Sequence, residues 1–126
     1  MRRGIRNIRH GDKWLGLRDT QTDKSFCQFV SPEYGIRAML KILCNYERKY
    51  GDNTIRQFIS RWAPPVENDT EAYINYVSRL VGIASDAVIG VNHQRTMTVL
   101  ITAMIWMENG QQPYSDDVFT RAFELL

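Results

Sequence analysis

The stretch "NHQRTMTVLITAMIWMENG", residues 92–110, decides how this chain folds. Met97, Leu100, Ile101, Met104 and Ile105 recur at the spacing of one helical face, while Val99, Ala103, Trp106 and Met107 fill the other sides. A helix starting near Asn92 and apolar nearly all round predicts a central, buried element with the rest of the chain packed against it. Asn109-Gly110 ends it, because glycine accepts the left-handed backbone of a helix stop. The run from Met97 to Met107 is interrupted by Thr98 and Thr102 and is too short to cross a bilayer, so no membrane span is expected.

Shorter helices are predicted on both sides of this one. In "SPEY", Ser31 suits an N-cap, Pro32 the first helical position and Glu33 the first turn, where its charge opposes the dipole. Ile36, Met39, Leu40, Leu43, Tyr46 and Tyr50 follow at helical spacing, and Gly51 stops the run. A second helix is expected over 54–62, since Ile55, Phe58, Ile59 and Trp62 share a face and Pro64-Pro65 prevents continuation. In "ENDTEAYINYVSRLVG", Asp69 or Thr70 caps a third helix that turns Tyr73, Ile74, Val77, Leu80 and Val81 inward and stops at Gly82. Residues 83–91 read as a loop. Ser115, with Asp116 and Asp117 behind it, opens a terminal helix running to Leu126.

Residues 1–24 show no sustained periodicity and read as an irregular basic arm docked on the domain, with Ile8 and Trp14 as its apolar anchors. Alternation over Phe26, Gln28 and Val30 supports at most a small β-hairpin near the N-terminus. The expected fold class is therefore mostly α: a single helical domain over residues 1–126, compact around a buried central helix.

Composition agrees. At 126 residues, 44% hydrophobic and 24% charged, the chain can bury a sizeable core without a disulfide or metal staple. The h-region and small-residue cleavage site of a signal peptide are missing. Cys27 and Cys44 fit neither a zinc pattern nor a disulfide framework and read as reduced, largely buried thiols. The net charge is only +2, yet Arg2, Arg3, Arg6, Arg9, Lys13 and Arg18 face Asp12 alone among the first eighteen residues. Without interleaved aromatics these cations argue against a nucleic-acid partner.

Several chemistries are set aside by what is missing. The sequence carries no glycine-rich phosphate loop, no paired histidines at metal spacing and no serine elbow, and its two histidines, His10 and His93, read as surface or structural residues. Neither a metal nor a cofactor is expected. Glu108 is different: a carboxyl at the C-terminal end of an apolar helix meets the negative half of the dipole and partial desolvation, both of which disfavour charge. A carboxyl that keeps its proton is what glycosidic cleavage requires for protonating the leaving oxygen. Asn109, Gln111 and Gln112 add amide donors and acceptors, and Trp14 and Tyr114, on loops, offer flat faces for stacking on sugar rings. Trp62 and Trp106, at helical spacing, read as core residues.

"RGIRNIRHGDKWLGL" (3–17), "FVSPEYGIRAMLKIL" (29–43), "NTIRQFISRWAPPVENDTEAYINYV" (53–77) and "MENGQQPYSDD" (107–117) resemble a family of phage and prophage structural proteins described as virion proteins or as lysozyme-like, transglycosylase-like domains. The resemblance spans nearly the whole chain, with "RWAPPVENDTEAYI" and "ENGQQPYSDD" its most specific pieces. The chain departs from the family pattern twice: "RGIRNIR" lacks an Asn-Pro-Gly insert, and Met107 stands where relatives carry a basic or imidazole side chain. The resemblance implies a lysozyme-like helical domain of muramidase or lytic transglycosylase type that acts at the bacterial cell wall on the glycan strands of peptidoglycan.

In that reading Glu108 is the catalytic acid and base, and Trp14, Asn109, Gln111, Gln112 and Tyr114 bind substrate. A transglycosylase needs one such carboxyl, because the substrate's own hydroxyl replaces water; Asp116, Asp117 and Glu33 are better explained as helix N-terminal charges. The rival readings are a non-enzymatic virion or assembly protein, with other virion proteins as partners, and a glycan-binding module without turnover. The implied location is the phage virion, or the host cytoplasm before lysis.

Overall fold

A computed structural model describes residues 8–66 and 68–126. Arg2, Arg3 and Arg6 of the basic arm lie outside the described residues, as does most of "RGIRNIR". Five helices follow in order: α1 (Pro32–Tyr50), α2 (Ile55–Trp62), α3 (Thr70–Val81), α4 (Gln94–Asn109) and α5 (Asp116–Glu124). Among the described residues there is no strand. Two isolated antiparallel bridges, Arg9 with Phe26 and Leu17 with Phe29, stand where at most a small N-terminal hairpin was expected, and a third, Thr54 with Val88, ties the start of α2 to the loop before α4.

The centre of the core is α4. Met97, Leu100, Ile101 and Met104 have no exposure and Ala103 and Ile105 almost none. Helices α3 and α1 pack on it, α2 lies on α3 and α1, and α5 closes over α1. Buried Ile36, Met39, Leu40 and Leu43 of α1, Ile55, Phe58 and Ile59 of α2, and Ile74 and Val77 of α3 complete one continuous apolar cluster. The burial of α4 is less complete than its composition implies. Trp106 and Met107, in the last turn, are exposed, on the side of the helix away from buried Ile101, Met104 and Ile105. Leu80 of α3, expected inside, is also exposed, while its neighbour Val81 packs against the core, so in the last turn the helix turns Leu80 to solvent.

Helix ends follow backbone chemistry, with corrections at three caps. Thr54 and Asp69 cap α2 and α3 by accepting from the backbone N–H groups of Gln57 and Ala72. Helix α4 starts at Gln94, two residues later than expected, because His93 is its cap: Nδ1 accepts the N–H of Thr96 at 3.2 Å and lies 2.8 Å from its hydroxyl. Ser31 and Ser115 occupy cap positions, but their hydroxyls accept no backbone N–H of the first turn. The Ser31 hydroxyl instead supports the carboxylate of Glu33.

Residues 8–30 hold a third kind of structure, irregular and cross-braced. Gln21 and Gln28 are its hub: Gln21 Nε2 donates to the carbonyls of Arg18 and Gln28, Gln21 Oε1 accepts from Gln28 N at 2.7 Å, and Gln28 Oε1 accepts from Thr22 N at 2.7 Å. Ile8 and Cys27 are buried beneath this bracing, and Trp14 packs half-buried on the core.

Candidate functional site

Glu108 lies in the last turn of α4, one residue before Asn109 and two before Gly110, whose positive φ of 71° lets its N–H turn back to the carbonyl of Trp106. The carboxylate is half-buried and faces the junction of two other helices. Its Oε2 accepts the phenolic O–H of Tyr73 at 2.7 Å and the indole N–H of Trp62 at 3.4 Å. Trp62 is the last residue of α2 and Tyr73 stands in the first turns of α3, so one carboxylate oxygen joins three helices. Apolar surroundings were expected for Glu108. It is met instead by two directed donors.

Tyr73 is almost fully buried. Its phenol is pushed far above the ordinary tyrosine range, first by burial and then by the adjacent Glu108 carboxylate. It therefore stays a neutral O–H donor at any working pH, fixed on the oxygen of Glu108.

The segment between Trp62 and Tyr73 is braced to hold those donors. The Thr70 hydroxyl donates to the carbonyl of Ala63 at 2.6 Å, and Asn68 Nδ2 donates to that of Pro64 at 3.1 Å. Asp69 caps the helix that carries Tyr73. One residue ahead of Trp62, Arg61 pairs with the buried carboxylate of Asp52 and lays its guanidinium over the ring of Tyr50, 3.6 Å from the centroid. Thus "RWAPPVENDTEAYI" and "ENGQQPYSDD", the two most specific stretches of the sequence, meet in space at Glu108. Trp62 and Tyr73 were read as core residues; periodicity places them on inner faces but carries no sign that their polar tips converge on a carboxylate from another helix.

The other candidate residues are distributed differently. The amide of Gln112 is occupied locally, its Oε1 accepting the backbone N–H of Tyr114. Tyr114 is half-buried against the core, and burial raises its phenol above the ordinary range. Asn109 and Gln111 are half-buried beside the helix end. Trp14 lies elsewhere: it lines a groove of about 450 Å³ with Lys13, Leu15, Arg37, Lys41 and Asn45, and none of the residues around Glu108 belongs to that lining.

A thiol and an imidazole do approach each other. Cys27 Sγ lies 3.9 Å from His10 Nδ1, and His10 Nε2 is 2.7 Å from the carbonyl of Asp23. Burial, helped by the negative charge of Asp12, pushes the Cys27 thiol up, so it stays protonated, and with 2% exposure it reaches no solvent. This pair packs; it does not attack. Among the described residues no group of three His, Cys, Asp or Glu side chains is placed to hold a metal, and no helix is long and apolar enough to cross a membrane.

No family model matches the chain. Protein P5 of Pseudoalteromonas phage PM2 is 40% identical over 131 aligned residues, which span 97% of this chain and 80% of that protein. An alignment longer than the 126-residue chain requires residues in the relative that have no counterpart here. At that identity across nearly its full length, the chain belongs to the same family as the phage protein P5.

Proposed function

We propose that the chain is a phage virion structural protein whose helical domain serves in particle assembly. The observation that carries this reading is the near full-length kinship with a phage protein. The geometry is in keeping with it, since Arg61, Trp62, Asn68, Asp69, Thr70 and Tyr73 are each engaged in bracing the junction of α2, α3 and α4, as in a rigid building block. Its partners are then other virion proteins, and it resides in the virion or, before lysis, in the host cytoplasm. Density-gradient fractionation of particles made by the phage genome that encodes the chain tests this. The chain should band with the capsid, and recovery only from the particle-free lysate would overturn the reading.

One observation favours a second reading, in which the domain is lysozyme-like and acts on glycan. Glu108 is a half-buried carboxyl with one oxygen held by donors from two other helices, which fixes the orientation that a single acid/base group needs. In this reading Glu108 protonates the leaving oxygen of a β-1,4 bond in a peptidoglycan strand and then accepts the proton of the hydroxyl that attacks. That hydroxyl comes from the substrate itself in a transglycosylase, so no second carboxyl is required. Asn109, Gln111, Gln112 and Tyr114, next along the chain, would contact the glycan. A turbidity assay on purified cell walls decides: clearing by the wild type and none by Glu108→Gln supports the enzyme, and absence of clearing by both leaves the structural role alone.

A further inference from the structure

The groove on α1 is the place where the structure gathers donors without acceptors. Arg37, Lys41 and Asn45 stand four residues apart along one face of the helix, and Lys13, Trp14 and Leu15 form the opposite wall. Among the described residues neither Lys13 nor Lys41 pairs with a carboxylate. Arg37 spends only Nε, on the backbone carbonyl of Leu125 at 3.0 Å. Arg48 donates to Asn45 Oδ1 at 2.8 Å, which occupies the amide oxygen and leaves the Nδ2 donors for the groove. The lining is therefore three cations and an amide N–H₂ against one indole and one leucine.

The wall that carries Trp14 is fixed. Gly16 has a φ of +82°, and a Cβ there would fall 2.1 Å from Cγ of Tyr34, so only glycine lets the loop lie this close to α1. The Gly16 carbonyl accepts the N–H of Val30 at 2.7 Å, and Arg18 N donates to the carbonyl of Gln28 at 2.9 Å. The loop that carries the indole is thus held against α1 before any ligand arrives, which limits what binding costs in lost freedom.

We propose that this groove binds an acidic saccharide, its carboxylate or phosphate on Lys13, Lys41 and Arg37, a hydroxyl on the Asn45 amide and a ring face against Trp14. An all-donor lining selects an oxyanion, and one flat apolar face beside an amide suits a sugar ring. A single stranded nucleic acid would call for successive aromatic platforms, and the groove has one. A membrane surface would call for an outward aromatic and aliphatic belt, whereas Trp14 is half-covered within a concavity. The site does not depend on whether Glu108 is catalytic.

The indole N–H signals in an NMR titration of the full chain test this, with Trp14 identified through Trp14→Phe. The probes are a carboxylated disaccharide (GlcNAc–MurNAc), a phosphorylated one (chitobiose 6-phosphate), neutral chitobiose, inorganic phosphate, a dT8 oligonucleotide and vesicles containing phosphatidylglycerol. Saturable shifts of Trp14 by either acidic sugar, at least tenfold tighter than by chitobiose and weakened at least tenfold by Lys41→Glu with an unchanged circular dichroism spectrum, are expected; a charge-assisted contact carries that much. Lys49→Glu, at an exposed residue outside the groove, should leave binding intact. No shift of Trp14 by either acidic sugar, equal affinity for chitobiose, or tighter binding of phosphate, oligonucleotide or vesicles would overturn the proposal.

Discussion

Helix α4 and the segment 8–30 hold to the same core by opposite means. The helix is secured by apolar area: Met97, Leu100, Ile101 and Met104 are sealed from water, and its backbone bonds are satisfied within itself. The segment buries Ile8, Cys27 and Phe29 with Trp14 and Leu17 packed beside them, and is secured by scattered backbone hydrogen bonds and by side-chain amides instead of a regular ladder. The first kind of order is cooperative with the whole core, because every methylene lost leaves a cavity that several helices share. The second kind is local, because each hydrogen bond exchanged with water is worth about 1 kcal/mol and can open without the rest.

The largest expected effect tests the first half of that contrast. Leu100→Ala or Ile101→Ala should lower global stability by roughly 2 to 5 kcal/mol in denaturant melts, through lost burial and the cavity left behind. Lys49→Ala, at an exposed site, should stay within about 0.5 kcal/mol. Similar losses for both would mean that α4 is not the core element its burial indicates.

Gly16→Ala tests the second half. A non-glycine residue held at a positive φ costs on the order of 1 to 3 kcal/mol, and the collision with Tyr34 forces the loop off α1. Hydrogen exchange should therefore accelerate over residues 9–30 while amides in α4 keep their protection. Uniform acceleration along the chain would show that the segment is cooperative with the helices, and the contrast would fall.

What could be read in one dimension divides along the same line. The helices announce themselves through Pro32 after Ser31, through Gly51, Gly82 and Gly110 at their ends, and through apolar spacing, all signals carried within four residues of each other. The burial of α4 was readable for the same reason. The exposure of Leu80, Trp106 and Met107 was not, since which side of a last turn is covered depends on neighbours distant in sequence. His93 as a cap was readable only in principle, because an imidazole is an uncommon substitute for serine or aspartate there. At the candidate site, Glu108 stood out by its position against the dipole. Trp62 and Tyr73 lie 46 and 35 residues away, so no periodicity connects them to it. Trp14 stood out as an aromatic in a polar loop, but its companions Arg37, Lys41 and Asn45 look like an ordinary solvated helix face until the loop is laid across them.

Glu108→Gln probes the corner where helical and polar order meet. An amide presents a weaker acceptor to Tyr73 and Trp62 and turns charge-assisted bonds into neutral ones, so stability at pH 7 should fall by about 1 to 2 kcal/mol. Thermal melts of the two proteins check this. A Gln variant more stable than wild type would mean that the negative end of α4 and partial desolvation outweigh the donors.

The smallest effect is expected at the clasp between α1 and α5, where Arg121 Nε donates to Glu33 Oε2 at 2.8 Å. Backbone N–H bonding at the start of α1, first, and the Arg121 guanidinium, second, hold the Glu33 carboxyl below the ordinary carboxylate range. A folded value depressed below the unfolded one of about 4.3 stabilises the protein above that pH. The contribution is complete at neutral pH, and it is lost as the pH falls through about 4.3 and on toward the folded value. Arg121 is half-exposed, so solvent screening keeps the clasp under about 1 kcal/mol. Glu33→Gln should therefore melt slightly below wild type at pH 7, and the difference should shrink as the pH is lowered toward 3. A difference that stays constant over that range would assign the loss to packing at the start of α1 instead of to the charge of Glu33.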